Sequence, residues 1–201
     1  MHRLPFPKTT WRASAPLELV HANICGPTRT PSLSNKRYFL LFADDYTRMM
    51  WIYFLDQKSE AFSFFLHFKA LVVGQSGHQM KTLRIDRGRE FIYKPFMQYC
   101  KENGIQRQLT VRRTSQQNRV AERENQTIEE MARSMLKGEG LPNMLWAEVV
   151  NTVAYILNRS PTKAVRDKTP FEARHKQKPM VNQLKVFGCI CSYSLTRKRE
   201  V

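Results

Sequence analysis

Two carboxylates at a fixed spacing are the residues of this sequence best suited to chemistry. Asp86 stands in the stretch 85–91, IDRGREF, and Glu122 stands in the stretch 116–125, QQNRVAEREN. Thirty-five residues separate them, in a chain whose formal net charge is +16. Carboxylates from separate elements can hold two Mg²⁺ ions about 4 Å apart, an arrangement that cuts and joins phosphodiesters. Such a site needs a third ligand, which these two stretches do not supply.

Each carboxylate also has an ordinary interpretation when it is taken alone. Asp is common where a strand turns, and Asp86 ends a strand-like run just before Gly88. A Glu on a helix is usually a solvated surface charge, which is the plain interpretation of Glu122. The two residues therefore indicate a metal site only as a pair, at this spacing and in this basic chain.

A long amphipathic helix is predicted for residues 119–138. At about 100° per residue, Glu122 lies on the flank of the helix's apolar face, where its carboxylate can face the end of a neighbouring strand. Asn125 lies nearer the apolar side, whereas Arg123 points more nearly to solvent. The predicted apolar face consists of Ala121, Ile128, Met131, Ala132, Met135 and Leu136.

The elements that must position these residues are strands first, and then helices that alternate with strands. This order is typical of a mixed sheet with helices packed on it. A helix over 58–73 is expected to be capped by Ser59. The other predicted helices span 95–104 and 143–160, and the predicted strands span 17–24, 37–44, 48–55, 79–86 and 105–109.

The charge balance indicates the class of partner. Among 201 residues there are 33 Lys and Arg but only 17 Asp and Glu. A domain this basic favours a polyanion, with nucleic acid as the first candidate and an acidic membrane surface as the second. A hydrophobic fraction of 42% is typical of a folded domain, and no apolar run reaches the length of a membrane span.

A series of motifs points to one family. The chain contains PLELVHANICGP, KRYFLLFADDYTRMMWIYFLDQKSEAF, KTLRIDRGREF, CKENGIQRQLT, TSQQNRVAEREN, NMLWAEVVNTVAYILNRSPTKAV, TPFEA and VFGC, in this order. Together, over about residues 3–192, they closely resemble the catalytic core of the integrases of copia-type LTR retrotransposons. The resemblance implies an α/β, ribonuclease H-like fold with a five-stranded mixed sheet flanked by helices. It also implies a metal triad of Asp, Asp and Glu, in which Asp86 and Glu122 match the second and third members.

The first member of the triad departs from the family pattern. The family has His-Thr-Asp-Ile-Cys-Gly-Pro where this chain has HANICGP, so Asn23 stands at the Asp position. An amide oxygen can coordinate a hard cation but brings no charge, and it is a poor bridge between two ions. Losing the bridging carboxylate is expected to lower the rate by a factor on the order of 10³ or more. Asp44 and Asp45 sit at a hairpin turn and are not expected to replace it.

The resemblance implies transfer of a DNA 3′-hydroxyl onto a target phosphate, with two Mg²⁺ or Mn²⁺ ions as cofactors. Asp86, Glu122 and, poorly, Asn23 would be the catalytic residues and metal ligands. The implied partners are the DNA ends of the element, target DNA and further copies of the chain. The expected compartment is the nucleus after synthesis in the cytoplasm, with no membrane partner. The residues expected to contact nucleic acid are Arg87, Arg89, Arg112, Arg113, Gln116, Gln117, Asn118, Arg119 and Arg123.

Further departures favour an impaired copy. Arg89 and Arg119 stand at glycine positions of the family pattern, and Ser115 stands at a proline position. A catalytically dead remnant that binds nucleic acid is therefore the alternative function. A ribonuclease H proper would share the fold, but its typical set of four carboxylates is not apparent.

The resemblance also predicts how the chain is divided. Residues 1–16 are expected to be a linker left from a missing upstream zinc-binding domain. Residues 17–160 are expected to form the catalytic core, and residues 161–201 a truncated C-terminal extension of it.

Overall fold

A computed structural model describes residues 12–86, 88, 91, 93–109 and 119–189. Its strands are β1 (Leu19–Cys25), β2 (Tyr38–Asp44), β3 (Met50–Leu55), β4 (Thr82–Ile85) and β5 (Gln106–Leu109). Its α-helices are α1 (Ala61–Ser76), α2 (Lys94–Glu102), α3 (Arg119–Gly138), α4 (Trp146–Arg159) and α5 (Pro170–His175). Short 3₁₀ turns span Lys58–Glu60 and Asn143–Leu145.

The strands form one mixed sheet in the order β3-β2-β1-β4-β5. The first three strands pair antiparallel, β2 with both β1 and β3. β4 lies parallel to β1, and β5 lies parallel to β4. Parallel neighbours need a crossover, which α2 supplies between β4 and β5. The five-stranded mixed sheet flanked by helices confirms the predicted fold class.

Helices cover both faces of the sheet. On one face α1 and α2 enclose an aromatic core, in which Phe42 stacks on Phe68 with ring centroids 4.1 Å apart. On the other face α3 and α4 pack over Leu41 and Ala43. Successive residues of β2 thus enter different cores, which explains why YFLLFAD is an almost continuous apolar run.

The helix α3 has the predicted bounds and the predicted face. It spans Arg119–Gly138, and Arg123 is exposed on it. The 3.6-residue period of its apolar side chains explains why the sequence alone predicted the bounds and the apolar face of this helix. The buried members of its apolar face are Ala121, Ile128, Ala132 and Leu136. Within the described ranges, neither α3 nor any other helix combines the length and apolarity that crossing a membrane requires.

One local prediction differs from the structure, and one helix was not predicted. Ser59 does not begin a helix, because the Glu60 carboxylate accepts the backbone N–H groups of Asp56 at 2.7 Å and Gln57 at 3.1 Å. Gln57 therefore caps the 3₁₀ turn that leads into α1. The helix α5 was not predicted, although Thr169 caps it through its hydroxyl.

Gly26 directly follows β1 and holds a backbone conformation that disfavours other residues. Its φ is +120°, and a Cβ there would lie 2.6 Å from the carbonyl oxygen of Arg37. We expect Gly26→Ala to lower the free energy of unfolding by about 2–4 kcal/mol, because backbone strain and overlap both oppose it. Urea unfolding measures the change.

Gly74 provides the matched control for this substitution. It lies inside α1, and nothing lies within 4 Å of the position that a Cβ would take. Gly74→Ala should raise the free energy of unfolding by about 0.5–1 kcal/mol, because alanine loses less backbone entropy in a helix. Equal effects of the two substitutions would contradict the conformation described for Gly26.

Candidate active site

Parallel pairing of β1 with β4 brings two of the three predicted metal ligands side by side. Leu19 pairs with Thr82 and His21 pairs with Arg84. The same register, carried two residues further, sets Asn23 beside Asp86, the first residue after β4. Neighbouring strands lie about 4.8 Å apart, so the two residues start from adjacent backbone positions.

The side chain of Asn23 lies on the face of the sheet that α3 covers. Side chains alternate along a strand, and Ala22 belongs to the core on the α1 side. Cys25, which shares the face of Asn23, donates a hydrogen bond from its Sγ to Glu129 Oε1 on α3. Burial, together with this contact, raises the pKa of the Cys25 thiol to about 12, so it stays protonated. The contact fixes which flank of α3 faces β1.

Glu122 lies in the first turn of α3 on that same flank. It precedes Glu129 by seven residues, which in an α-helix is about 20° from the same direction and about 10 Å along the axis. The side chain of Glu122 is exposed. The third predicted ligand therefore lies on the helix flank that faces β1, as its position beside the apolar face predicted.

Asp86 is held at the start of its loop by a local hydrogen bond. Its Oδ1 accepts the backbone N–H of Gly88 at 2.9 Å, and the residue is half-buried. A turn role and a ligand role are thus compatible, since a carboxylate can accept several bonds.

The donor set formed by these residues suits a hard divalent cation. Asp86 and Glu122 offer carboxylate oxygens and Asn23 offers an amide oxygen, and Mg²⁺ prefers oxygen ligands. The set carries two negative charges where three carboxylates would carry three. Over the parts of the chain that the structure describes, no three His, Cys, Asp or Glu side chains are grouped as a metal site.

Most residues predicted to contact nucleic acid lie outside the described part of the chain. Arg123 is described, and its side chain is exposed on α3. The prediction for the others is untested by the geometry. They are Arg87, Arg89, Arg112, Arg113, Gln116, Gln117 and Asn118, together with the side chain of Arg119.

A buried polar network begins two residues before Asn23 on the same face of β1. His21 is fully buried, and its Nε2 lies 2.9 Å from Asp45 Oδ1. The other carboxylate oxygen of Asp45 accepts the backbone N–H of Ala13 at 2.9 Å. The guanidinium of Arg48 lies 3.4 Å from Asp45 Oδ1. The network ties β1 to the β2–β3 hairpin and to the segment before β1.

The charges in this network follow from burial and partners. Burial lowers the pKa of His21, and the hydrogen bond and charge of Asp45 oppose it only in part. Burial raises the pKa of Asp45, but His21, the N–H of Ala13 and Arg48 outweigh it, so the pKa is lowered overall. His21 is therefore neutral with Nε2–H donating, and Asp45 is ionised. Sequence reasoning placed Asp45 correctly in the turn but missed this network, for which a lone His in an apolar strand was the signal.

The network predicts a dependence of stability on pH. The folded pKa of His21 lies below its unfolded value of 6.5, so the unfolded chain takes up a proton first as the pH falls. Stability should therefore be lost as the pH drops below about 6.5, by up to about 1.4 kcal/mol per pH unit. Urea unfolding from pH 7.5 to 5 should show a shallower slope for His21→Gln. Exposed His78→Gln is the control, and the same slope in both variants would rule out His21 as the source.

Comparison with known proteins identifies relatives over the region of this site. The family model for the integrase core domain matches residues 13–115. The retrovirus-related Pol polyprotein from transposon TNT 1-94 of Nicotiana tabacum is 39% identical over 188 residues, 94% of this chain and 14% of that protein. The corresponding polyprotein from transposon RE2 of Arabidopsis thaliana is 33% identical over 190 residues, 94% of this chain and 13% of that protein. The chain thus spans about one seventh of the length of such relatives.

Solved structures share the fold at low sequence identity. The simian T-cell lymphotropic virus intasome, solved in complex with PP2A regulatory subunit B56 gamma, has a TM-score of 0.69 and 16% identity. That match covers 92% of this chain and 64% of the other. The HTLV-2 integrase catalytic core domain in complex with magnesium, in its dimeric form, has a TM-score of 0.60 and 17% identity. It covers 82% of this chain and 100% of the other. The likeness establishes a ribonuclease H-like fold.

Proposed function

Because the chain belongs to the integrase core domain family, we propose that it is the DNA-integration core of a retrotransposon Pol polyprotein. The proposed reaction joins a DNA 3′-hydroxyl to a target phosphate while the phosphodiester on the other side of that phosphorus breaks. The observation that carries the proposal is the parallel register of β1 and β4, in which His21 pairs with Arg84. Continued by two residues, this register would set Asn23 beside Asp86. Glu122 lies on the flank of α3 that faces the same strand.

The proposed ligands are Asp86, Glu122 and Asn23, and the proposed cofactor is Mg²⁺ or Mn²⁺, with two ions expected. Two such ions, when bound, activate the attacking hydroxyl and stabilise the leaving oxygen. Asp86 would orient its carboxylate through the bond from the N–H of Gly88. Glu122, exposed in the first turn of α3, would be accessible to the substrate.

Asn23 makes impaired catalysis part of the proposal. Its amide oxygen carries no charge, so a metal site that includes Asn23 would offset less of the negative charge that develops on the reacting phosphate. The strands on either side of Asn23 remain in place, since β1 pairs with both β2 and β4. The proposed defect is therefore chemical rather than structural.

DNA is the proposed partner. The net charge of +16 favours phosphate contacts that are independent of sequence and weaken with salt. Exposed Arg123, next to Glu122, is suited to hold a phosphate close to the site. A homo-oligomer acting on two DNA ends, in the nucleus, completes the proposal.

A nucleic-acid-binding remnant without catalysis is the second candidate. The observation that favours it is the uncharged amide of Asn23 at the position where the family pattern has a carboxylate. Both candidates predict salt-sensitive DNA binding, and only the first predicts chemistry.

The experiment that tests the proposal is disintegration of branched DNA with Mn²⁺ or Mg²⁺, in the Asn23→Asp background. Adding Asp86→Asn or Glu122→Gln should lower the rate at least about 100-fold, because each removes a ligand carboxylate. The matched control is Glu130→Gln, an exposed glutamate of α3 whose Oε1 accepts from Gln126 at 2.9 Å. Its rate should stay within about twofold of the background. If the variants bind DNA but none of them catalyses the reaction, the second candidate, a nucleic-acid-binding remnant, would be favoured.

A further inference from the structure

A second cleft lies across α3 from the candidate active site. It encloses about 400 Å³ between α3, the β2–β3 hairpin at Arg48 and the segment 160–164 that follows α4. Val120 and Thr127 line it from α3. They lie on the flank opposite to the one that carries Glu122 and Glu129. The cleft is therefore a separate space from the proposed metal site, with only the first turns of α3 between them.

The lining of this α3 cleft has two chemically different parts. Its floor is apolar and includes Met50, Leu157 and Pro170. Its rim carries the cations Arg123 and Lys163, both of them exposed, and a third cation, Arg48, lines it as well. An apolar floor beneath a cationic rim suits a ligand with a flat apolar part attached to an anion.

One acid lies among these cations. Glu124 lines the cleft together with Arg48 and Arg123. A carboxylate here can accept a hydrogen bond from a ligand N–H. The rim still carries three cations against one acid.

The walls of the cleft are held in place by contacts of their own. Arg48 has a φ of 63° and is fixed by Asp45, whose Oδ1 lies 3.4 Å from the guanidinium. Arg12 donates a hydrogen bond to the carbonyl oxygen of Ala164. Directly after this segment, the N–H of Val165 donates back to the carbonyl oxygen of Thr162 at 3.1 Å. A ligand would thus enter a cleft that is already formed, without having to order it.

We propose that the α3 cleft binds one unpaired nucleotide of a DNA strand, and that the adjacent nucleotides of the same strand lie at the active site. The base lies on the apolar floor, and its phosphate lies between Arg123 and Lys163. This inference rests on the proposed function, which supplies DNA as the polyanion. Arg123 directly follows Glu122, so a strand that leaves the metal site passes the rim of the cleft.

A base that is paired in a duplex cannot reach the apolar floor of the α3 cleft. In a duplex the flat faces of the bases are stacked on one another, so an enclosed apolar floor can be reached only by a base outside the stack. Contacts between apolar side chains and an unstacked base are a recurrent way of holding single-stranded DNA beside a cationic groove. The cleft therefore distinguishes an unpaired overhang from a blunt end.

The test measures binding by fluorescence anisotropy with three probes. They are a blunt duplex, the same duplex with a short unpaired 5′ overhang, and that overhang with its bases removed. The chain as written should bind the overhang on the order of 10-fold more tightly than the blunt duplex. Removal of the bases should abolish the preference. Equal affinity for all three probes would overturn the inference while leaving DNA binding intact.

Two pairs of variants locate the effect. Thr127→Trp fills the cleft and should remove the preference for the overhang, while affinity for the blunt duplex changes less than about twofold. Its control is Ser134→Trp, on the same flank of α3 but outside the cleft, which should keep the preference. Arg123→Gln should weaken binding of the overhang more than Arg133→Gln, an exposed arginine further along α3. An unaltered preference in Thr127→Trp would overturn the inference.

Failure of the proposed function has a different signature. A chain that binds none of the three probes at low salt would remove DNA as the partner, and with it both the proposed function and the nucleotide in the cleft. Far-ultraviolet circular dichroism of every variant establishes that it is folded before its binding is compared.

Discussion

Asn23→Asp is expected to raise the rate of metal-dependent disintegration by a factor on the order of 10³. The substitution adds a negative charge beside Asp86, at a position where the proposed cations would find only an uncharged amide oxygen. Asn and Asp have nearly the same shape, and Asn23 is half-buried on the face towards α3, so the fold should tolerate the change. Single-turnover rates at fixed Mn²⁺ concentration measure the effect.

A second readout separates repair of the site from a general effect of charge. Titration calorimetry with Mn²⁺ should show binding at least about tenfold tighter in Asn23→Asp, because a hard cation gains a charged ligand. The control is Asn151→Asp, the same chemical change at an exposed position of α4. Asn151→Asp should change neither the disintegration rate nor the affinity for Mn²⁺. High activity in the chain as written would show that an amide suffices at the first position, and the proposed impairment would be wrong.

The parts of the fold that the sequence predicts well are those with strong periodicity. The bounds of α3 follow from an apolar stripe repeating every three to four residues, and β2 is recognisable because it enters two cores. The start of α1 was less predictable, since it follows a 3₁₀ turn that is capped at Gln57, whose backbone N–H donates to the Glu60 carboxylate, and no periodicity marks this turn. The helix α5 is short, but its Thr169 and Glu172 form a capping box that a closer sequence reading could have detected.

The sequence suggests the members of the candidate site, but it does not predict how they are placed relative to one another. Asp86 and Glu122 follow from residue type, spacing and resemblance, whereas their relation to Asn23 depends on the register of β1 and β4. Register arises from the packing of both faces of the sheet and from the crossovers, which no local pattern encodes. The role of Asp45 was missed for the same reason, because its partner His21 lies 24 residues away on another strand.

Asp45→Ala is expected to lower the free energy of unfolding by about 3–5 kcal/mol. The substitution removes one carboxylate but leaves three groups without their acceptor: the Nε2–H of His21, the backbone N–H of Ala13 and the guanidinium of Arg48. Each is buried or largely buried, so water cannot fully replace the lost bonds. Urea unfolding at pH 7.5 measures the loss, and a loss below about 1 kcal/mol would contradict the network.

Two further substitutions show whether the loss comes from unpaired donors. Asp45→Asn keeps one oxygen acceptor and should lose less than Asp45→Ala, because either His21 or Ala13 can retain its bond. Asp56→Ala is the matched control at a half-buried turn position, and it should change stability by no more than about 0.5 kcal/mol.

Because the network anchors the face of β1 that also carries Asn23, Asp45→Ala should lower the disintegration rate of the Asn23→Asp chain even at a temperature where the variant stays folded. An unchanged rate would mean that the position of Asn23 is set by strand pairing alone.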